Sequence, residues 1–269
     1  MIGVHLCGIG VAAPGLAGWD ALRALLAGGV RYNPRPLEHA MPDALPPAER
    51  RRAGQVVRLA IAVAQEAAAH AGVDAGALAS VFASADGDGE NLHHICSSLA
   101  GAAPEVSPTR FHNSVQNATG GYWSIAVRSQ APSNAVIGLD GAFAAGLLEA
   151  ATQAAIEQRD MLLVAYDLPM PAPLYALHPI DCGAGLALVL RPQPRGASLA
   201  RLTLGLAPGA DETTAVTAMR APELEALRCA NPTLRALALL APIARREDAT
   251  VLLPLDGGDA LRVRVDAAR

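Results

Sequence analysis

The chain has 269 residues, of which 52% are hydrophobic and 17% charged, which excludes a disordered, fibrous or polar-tail protein and leaves ample material for a buried core. Its formal charge is −4 and every basic residue is arginine; the run Arg50-Arg51-Arg52 is too short for a nucleic-acid track on that background. Four cysteines without a two-residue spacing argue against a zinc knuckle or redox pair, and no apolar run approaches the roughly 20 residues that span a bilayer.

The start, MIGVHLCGIGVAAPG, lacks the positive region of a signal peptide, so the expectation is a cytoplasmic protein with reduced thiols and no membrane insertion. An apolar run from Ile2 to Ile9 predicts a strand ending in a glycine turn, Trp19 to Ala27 a brief helix, and Arg31 to Pro47 a proline-rich loop. Arg51 to His70 places Val56, Leu59 or Ala60, Val63 and Ala67 on one helical stripe, and Gly72 stops it. Leu78 to Ser84 reads as a strand. A turn at Asp86 to Glu90 leads to a helix through Cys96 and Leu99, and another helix is expected from near Ser114 after the loop Ser107 to Ser114.

Ala135 to Leu139 is a fully apolar strand that runs straight into a largely apolar helix, Ala142 to Gln158, expected to be buried on most sides. Met161 to Ala165 and Gly183 to Leu190 are two more strands. Leu202 to Leu206 and Val251 to Leu253, with a helix from Pro222 through Leu239, complete the chain. The order of strands and helices predicts an α/β protein with a mixed sheet and helices on both faces. No clean linker separates the tail, which is expected to pack on the same body.

Several motifs invite chemistry. Gly8-x-Gly10-x-x-Ala13 superficially matches a dinucleotide fingerprint, but Pro14-Gly15 follow at once and the next clear strand begins near Leu78, so a tight structural turn is the better reading. Asp86, Asp88 and Glu90 start like a calcium loop, yet Asn91 and Ser97 stand where glycine and glutamate belong; acids capping the next helix explain them. His93, His94 and Cys96 offer a thiol with a nearby base, against the plainer reading of a helix packing a small thiol inward. No metal or cofactor site is expected.

Ser107 to Ser114 is the segment densest in functional groups. Arg110 could meet a carboxylate, Asn113 or Ser114 could cap the next helix, and Phe111 spends one of three phenylalanines on a loop. The sharpest feature is Gly138-Leu139-Asp140-Gly141-Ala142, where a strand turns into a helix in the geometry that projects a nucleophile above a sheet. Two readings stand there: Asp140 as a nucleophile with His178 as base, or Asp140 capping the helix while Gly141 permits the bend.

Taken in order, Val4-His5-Leu6-Cys7-Gly8-Ile9-Gly10, Glu49 to Arg52, Val81 to Ser84, the SPTRFHNS stretch with Asn117 and Gly121 to Ile125, Gly146 to Ala150, Tyr166-Asp167 and Gly183 to Leu190 resemble the N-terminal half of β-ketoacyl synthases. They are more similar still to short ketosynthase-like proteins of the chain-length-factor type found in aryl polyene pathways. The resemblance covers residues 1–191 and implies a thiolase-like fold: a ketosynthase-like domain, 1–191, plus a shortened C-terminal part, 192–269. Laid onto this chain, the family's nucleophilic cysteine falls on Asp140 or Gly141. Cys96-Ser97-Ser98 imitates the active-site letters but lies before SPTRFHNS, on the wrong side of it. The two catalytic histidines belong to the second half, and beyond Cys182 this chain has none.

The resemblance therefore implies a subunit without condensation activity, paired as a heterodimer with a complete ketosynthase and meeting acyl carrier protein through that complex. Ala135 to Leu139, with Val136, would be the interface strand, and Arg110, Phe111, His112, Asn113 and Phe143 would line the tunnel or the interface. Such a wall limits chain length by volume, since each buried CH₂ of a growing acyl chain is worth about 0.8 kcal/mol until a side chain blocks it. The alternatives are an independent hydrolase using Asp140 and a non-catalytic acyl-binding homodimer.

Overall fold

The apolar start of the chain forms the longest strand, β1 (Ile2–Ala13), and the sheet is built around it. The structure is a computed structural model that describes residues 1–38, 44–207 and 216–268. After β1 come β2 (Leu16–Ala17), α1 (Trp19–Leu26), α2 (Pro47–Arg52), α3 (Gln55–Ala71), β3 (Ala79–Ser84), α4 (Gly89–Leu99), α5 (Pro108–Asn113) and α6 (Ala118–Val127). Then follow β4 (Ser133–Ile137), α7 (Ala142–Glu157), β5 (Met161–Asp167), β6 (Ala184–Arg191), β7 (Ala200–Ala207), α8 (Pro222–Cys229), α9 (Leu237–Arg245), β8 (Ala249–Pro254) and β9 (Ala260–Ala267).

Among the described residues these strands make one mixed sheet in the order β4-β3-β5-β6-β1-β7-β9-β8, with β2 paired to β1. β3 runs parallel to β4 and β5; the other pairings are antiparallel. Strands β3, β5 and β6 are buried on both faces; β5 and β6 are almost continuously apolar, and β3 buries Ser80 and Ser84 among its apolar residues. One face is covered by α1, α7 and α9, the other by α3 and α6. β7, the first strand after residue 191, pairs with β1, so the tail continues the same sheet.

The glycines of the apparent fingerprint lie inside β1 and make no turn. A Cβ on Gly8 would stand 2.3 Å from the Ala67 carbonyl oxygen, and one on Gly10 2.1 Å from that of Val63. They let α3 lie directly on the strand, a close approach that its alanines also allow. Glu66 on the same helix accepts the backbone N–H groups of Val11 at 2.9 Å and Trp19 at 2.7 Å, fixing the strand's exit.

Several sequence expectations need correction. The helix expected over Arg51 to His70 is two, α2 and α3, because Ala53 and Gly54 are extended; a Cβ at Gly54 would also stand 3.0 Å from an Asp88 carboxylate oxygen. The expected loop Ser107 to Ser114 contains a helix, α5, started by Pro108, whose fixed φ suits a first turn. The next helix begins at Ala118 instead of Ser114. The helix expected from Pro222 through Leu239 is interrupted after α8 by a 3-10 segment, Pro232–Ala236, which Asn231 caps by accepting the Thr233 N–H at 2.8 Å. β9 adds a strand beyond the expected elements. Of the loop Arg31 to Pro47, residues 39–43 lie outside the described residues, and Pro47 already belongs to α2.

Two corrections concern exposure. The strand expected over Ala135 to Leu139 is β4, ending at Ile137, and it is not buried: it is a sheet edge, paired on one side only, with Val136 half-buried. Cys96 points outward, because α4 buries only Gly89 and Asn91.

Candidate functional site

The site is the junction between β4 and α7. Gly138 has φ −161° and ψ 38°, a 3-10 turn runs over Leu139–Gly141, and α7 follows without a break. The residue in the left-handed region is Leu139, at φ 38°. A side chain there is uncommon and strained, the kind of backbone cost that gathers at functional turns. Gly141, expected to permit the bend, has an ordinary φ of −85°. Its missing Cβ serves a different purpose, since a Cβ would stand 2.8 Å from the backbone nitrogen of Asp256 in the 3-10 turn Asp256–Gly258.

Asp140 is 56% exposed at the apex and caps no helical N–H group, contrary to the capping reading. One of its carboxylate oxygens accepts from Arg235 Nη2 at 2.8 Å. The other lies 4.0 Å from His178 Nε2. His178 comes from the irregular segment between β5 and β6, and its Nδ1 is hydrogen-bonded to Asp86 Oδ2. Asp86 follows the end of β3, so four distant stretches of sequence meet in the series Asp86, His178, Asp140, Arg235. In the turn after β3 it is Asp88 that caps α4, accepting the Asn91 N–H at 3.0 Å; Asp86 does not share that task.

A second polar cluster lies deeper. Asp167, wholly buried at the end of β5, accepts from Ser84 Oγ at 2.9 Å, the Ala85 N–H at 2.7 Å and Thr233 Oγ1 at 2.7 Å. Burial pushes its carboxyl up to about 6, against the lowering effect of those donors. Asn231 Nδ2 donates to the carbonyls of Cys182 at 2.7 Å and Asp167 at 3.2 Å, pinning the C-terminal segment beneath the site. Arg235, Thr233 and Asn231 escaped the sequence reading, as did the role of Asp167; nothing in their spacing signals contacts made across 49 to 95 residues.

The α5 residues gather round Tyr122. Asn113 accepts the Tyr122 hydroxyl at 3.0 Å and donates to the Arg52 carbonyl at 3.0 Å, so it ties α5 to α2 and α6 and caps neither. Ser114 likewise turns back, donating to the Phe111 carbonyl at 2.8 Å. His112 meets the Tyr122 ring edge-on, with centroids 6.4 Å apart. Arg110 is half-buried and its carbonyl accepts from Asn91 Nδ2 at 2.9 Å, while Phe111 is 68% exposed. Phe143 stands apart from this group, in the core on the opposite face of the sheet. Between α5 and the β4 edge lies a cavity of about 200 Å³ whose walls include Val56, Val57, Asp86, Leu92, Val115 and Ile137.

Among the described residues no three His, Cys, Asp or Glu side chains converge to hold a metal ion, and no helix is long and apolar enough to cross a membrane. The four cysteines are free thiols. Burial pushes the Cys182 thiol up to about 11, with Asp181 adding to the effect, so a thiolate is disfavoured there.

Residues 29–246 match the family model described as β-ketoacyl synthase, N-terminal domain. The chain belongs to that family. No curated protein matches it. Among solved structures, it is similar to a chain of "Ketosynthase (ApeO) in Complex with its Chain Length Factor (ApeC) from Xenorhabdus doucetiae", at 22% identity over 98% of this chain and 99% of that one, with a TM-score of 0.71. It is similar over the whole length of both chains to one from "The ishigamide ketosynthase/chain length factor", at 16% identity and a TM-score of 0.72. Against ketosynthase twelve of the bacillaene polyketide synthase of Bacillus amyloliquefaciens the TM-score is 0.57 at 13% identity, and 82% of this chain covers 47% of that one. At these identities the likeness is one of fold. The β-ketoacyl synthase domain here is thus a thiolase-like, mixed sheet with helices on both faces, whose β4–α7 junction carries Asp140 held by Arg235.

Proposed function

We propose that this ketosynthase-like chain is a non-condensing, chain-length-factor-like subunit that forms a heterodimer with a complete β-ketoacyl synthase. In that role it shapes the partner's acyl tunnel during aryl polyene, fatty-acid-like or polyketide-like elongation, in the cytoplasm, and meets acyl carrier protein through the complex. The observation that carries this reading is the β4 edge. Its outer backbone groups are unpaired by any described strand, and Leu92, Val115, Ile137 and Leu139 are exposed large apolar side chains on it, directly after it or around the cavity beside it. A bare strand edge with apolar flanks is a pairing template and an aggregation hazard unless a partner covers it.

The chemistry of the apex supports the non-condensing part. Condensation needs a thiolate and oxyanion donors at one carbonyl, and the junction holds a carboxylate already committed to Arg235. Residues 1–191 then act as the ketosynthase-like domain, and 192–269 as an extension packed on the same body. Similarity in fold to chains from ketosynthase and chain-length-factor complexes supports the same assignment.

Co-expression with a complete ketosynthase from the same genome tests this reading. The expected result is a 1:1 complex that extends acyl chains, with activity lost when the partner's cysteine is replaced. Absence of a complex, together with an unchanged product from the ketosynthase alone, would overturn it.

A further inference from the structure

His178 and its two carboxylates carry a chemistry that the partnership reading leaves unused. A carboxylate can only accept, so in the neutral imidazole the bond to Asp86 places the proton on Nδ1 and leaves the lone pair on Nε2. That lone pair faces Asp140 Oδ2 across 4.0 Å. The distance is too long for a direct hydrogen bond and suits a water that donates one hydrogen to each acceptor. A water so held keeps its oxygen lone pairs directed away from both acceptors. Arg235 fixes Asp140 from the other side, and Asp86 fixes the imidazole, so both acceptors are positioned by side chains on other elements. His178 and Asp86 are each about four-fifths buried, which limits competition from bulk solvent.

The cavity between α5 and the β4 edge supplies the substrate class. Asp86, which holds the imidazole, stands in its wall with Ile137; Val56, Val57, Leu92 and Val115 give the wall an apolar part, and Asp88, Asn113, Gln116 and Thr119 a polar one. At about 200 Å³ it is smaller than the roughly 300–1,000 Å³ of pockets for drug-sized ligands, so it suits a short acyl chain.

We infer that Asp86, His178 and Asp140 form a water-activating site that hydrolyses short-chain acyl thioesters. His178 Nε2 takes a proton from the water as its oxygen bonds to the acyl carbon. The carbon–sulfur bond then breaks, and the leaving thiolate takes the proton back from Nε2. The products are the carboxylic acid and the free thiol, and no other reactant is consumed. The activity belongs to the chain itself and does not depend on a ketosynthase partner.

The purified full-length chain, incubated with the hexanoyl thioester of N-acetylcysteamine, tests this by chromatographic measurement of released hexanoic acid. Wild type should exceed H178Q by about 100-fold or more, the scale of a positioned general base. D86N and D140N should each fall between them, D86E should recover part of the loss at Asp86, and C96S should match wild type. Circular dichroism of H178Q and D140N shows whether each retains its fold, and either variant alone suffices as the readout. Hydrolysis by wild type no faster than by H178Q, retention of the rate in a folded D140N, or loss of the rate in C96S would each overturn the assignment. Such a result would leave the heterodimer reading intact, because no partner is present in the assay.

Discussion

Thr233 donates its hydroxyl to a carboxylate oxygen of Asp167 at 2.7 Å, joining a segment near the end of the chain to the end of a central strand. The carboxyl that receives it is wholly buried and pushed up to about 6. Between the ordinary value of 3.8 and about 6 the folded state therefore holds a proton that the unfolded chain has released, so this group makes stability fall as pH rises through that window. The effect should amount to about 2–3 kcal/mol. In D167N the amide oxygen can still accept from Ser84 and Ala85, and the Thr233 hydroxyl can turn to accept from the amide nitrogen. Urea unfolding from pH 4 to 7 should show this part of the slope in wild type and its absence in D167N.

Two glycines, one at the β1–α3 contact and one on α6, give mutations of opposite sign. G10A inserts a Cβ 2.1 Å from the Val63 carbonyl oxygen, which backbone alone must relieve, and should destabilise by about 2–3 kcal/mol. G121A, on an exposed face of α6 with nothing within 4 Å, should stabilise by about 0.5–1 kcal/mol. Chemical denaturation of the two variants measures both.

V136D tests the β4 edge. Because Val136 is half-buried on an edge strand, the isolated variant should keep its circular dichroism and lose only about 1–2 kcal/mol. The proposed 1:1 complex with a ketosynthase should then be lost in size-exclusion chromatography. An intact complex would remove β4 from the interface.

Thiol exposure gives a count that a plate reader checks. Cys96 and Cys229 are exposed, whereas Cys7 is buried and Cys182 is half-buried with its thiol pushed up to about 11. At pH 8 an aromatic disulfide reagent should titrate two thiols in the native protein and four after denaturation, with C96S removing one of the fast pair. Intact-mass spectrometry after incubation with an acyl thioester should show no stoichiometric adduct at any cysteine.

The short-range features were legible in the letters. Almost continuous apolar runs identify β5 and β6, because a strand covered on both faces has little polar side to display. The positions of Pro108 and Gly72 carry start and stop signals, although the loop around α5 hid the helix that Pro108 begins. β4 misled for a definite reason. The segment Ala135 to Ile137 is as apolar as a buried strand, and apolar letters do not say whether a strand lies inside the sheet or at its edge.

By itself the sequence determined the α/β class, the Asp140 apex between a strand and an apolar helix, and the absence of cysteine at that place. Those properties reside in local composition and in the order of elements. Only the tertiary structure decided what Asp140 does at the apex. Its partner Arg235 lies 95 residues away, and His178 and Asp86 lie 92 residues apart. A contact across that separation is set by how helices and strands stack on the sheet, and the side chains that make it leave no periodic trace along the chain.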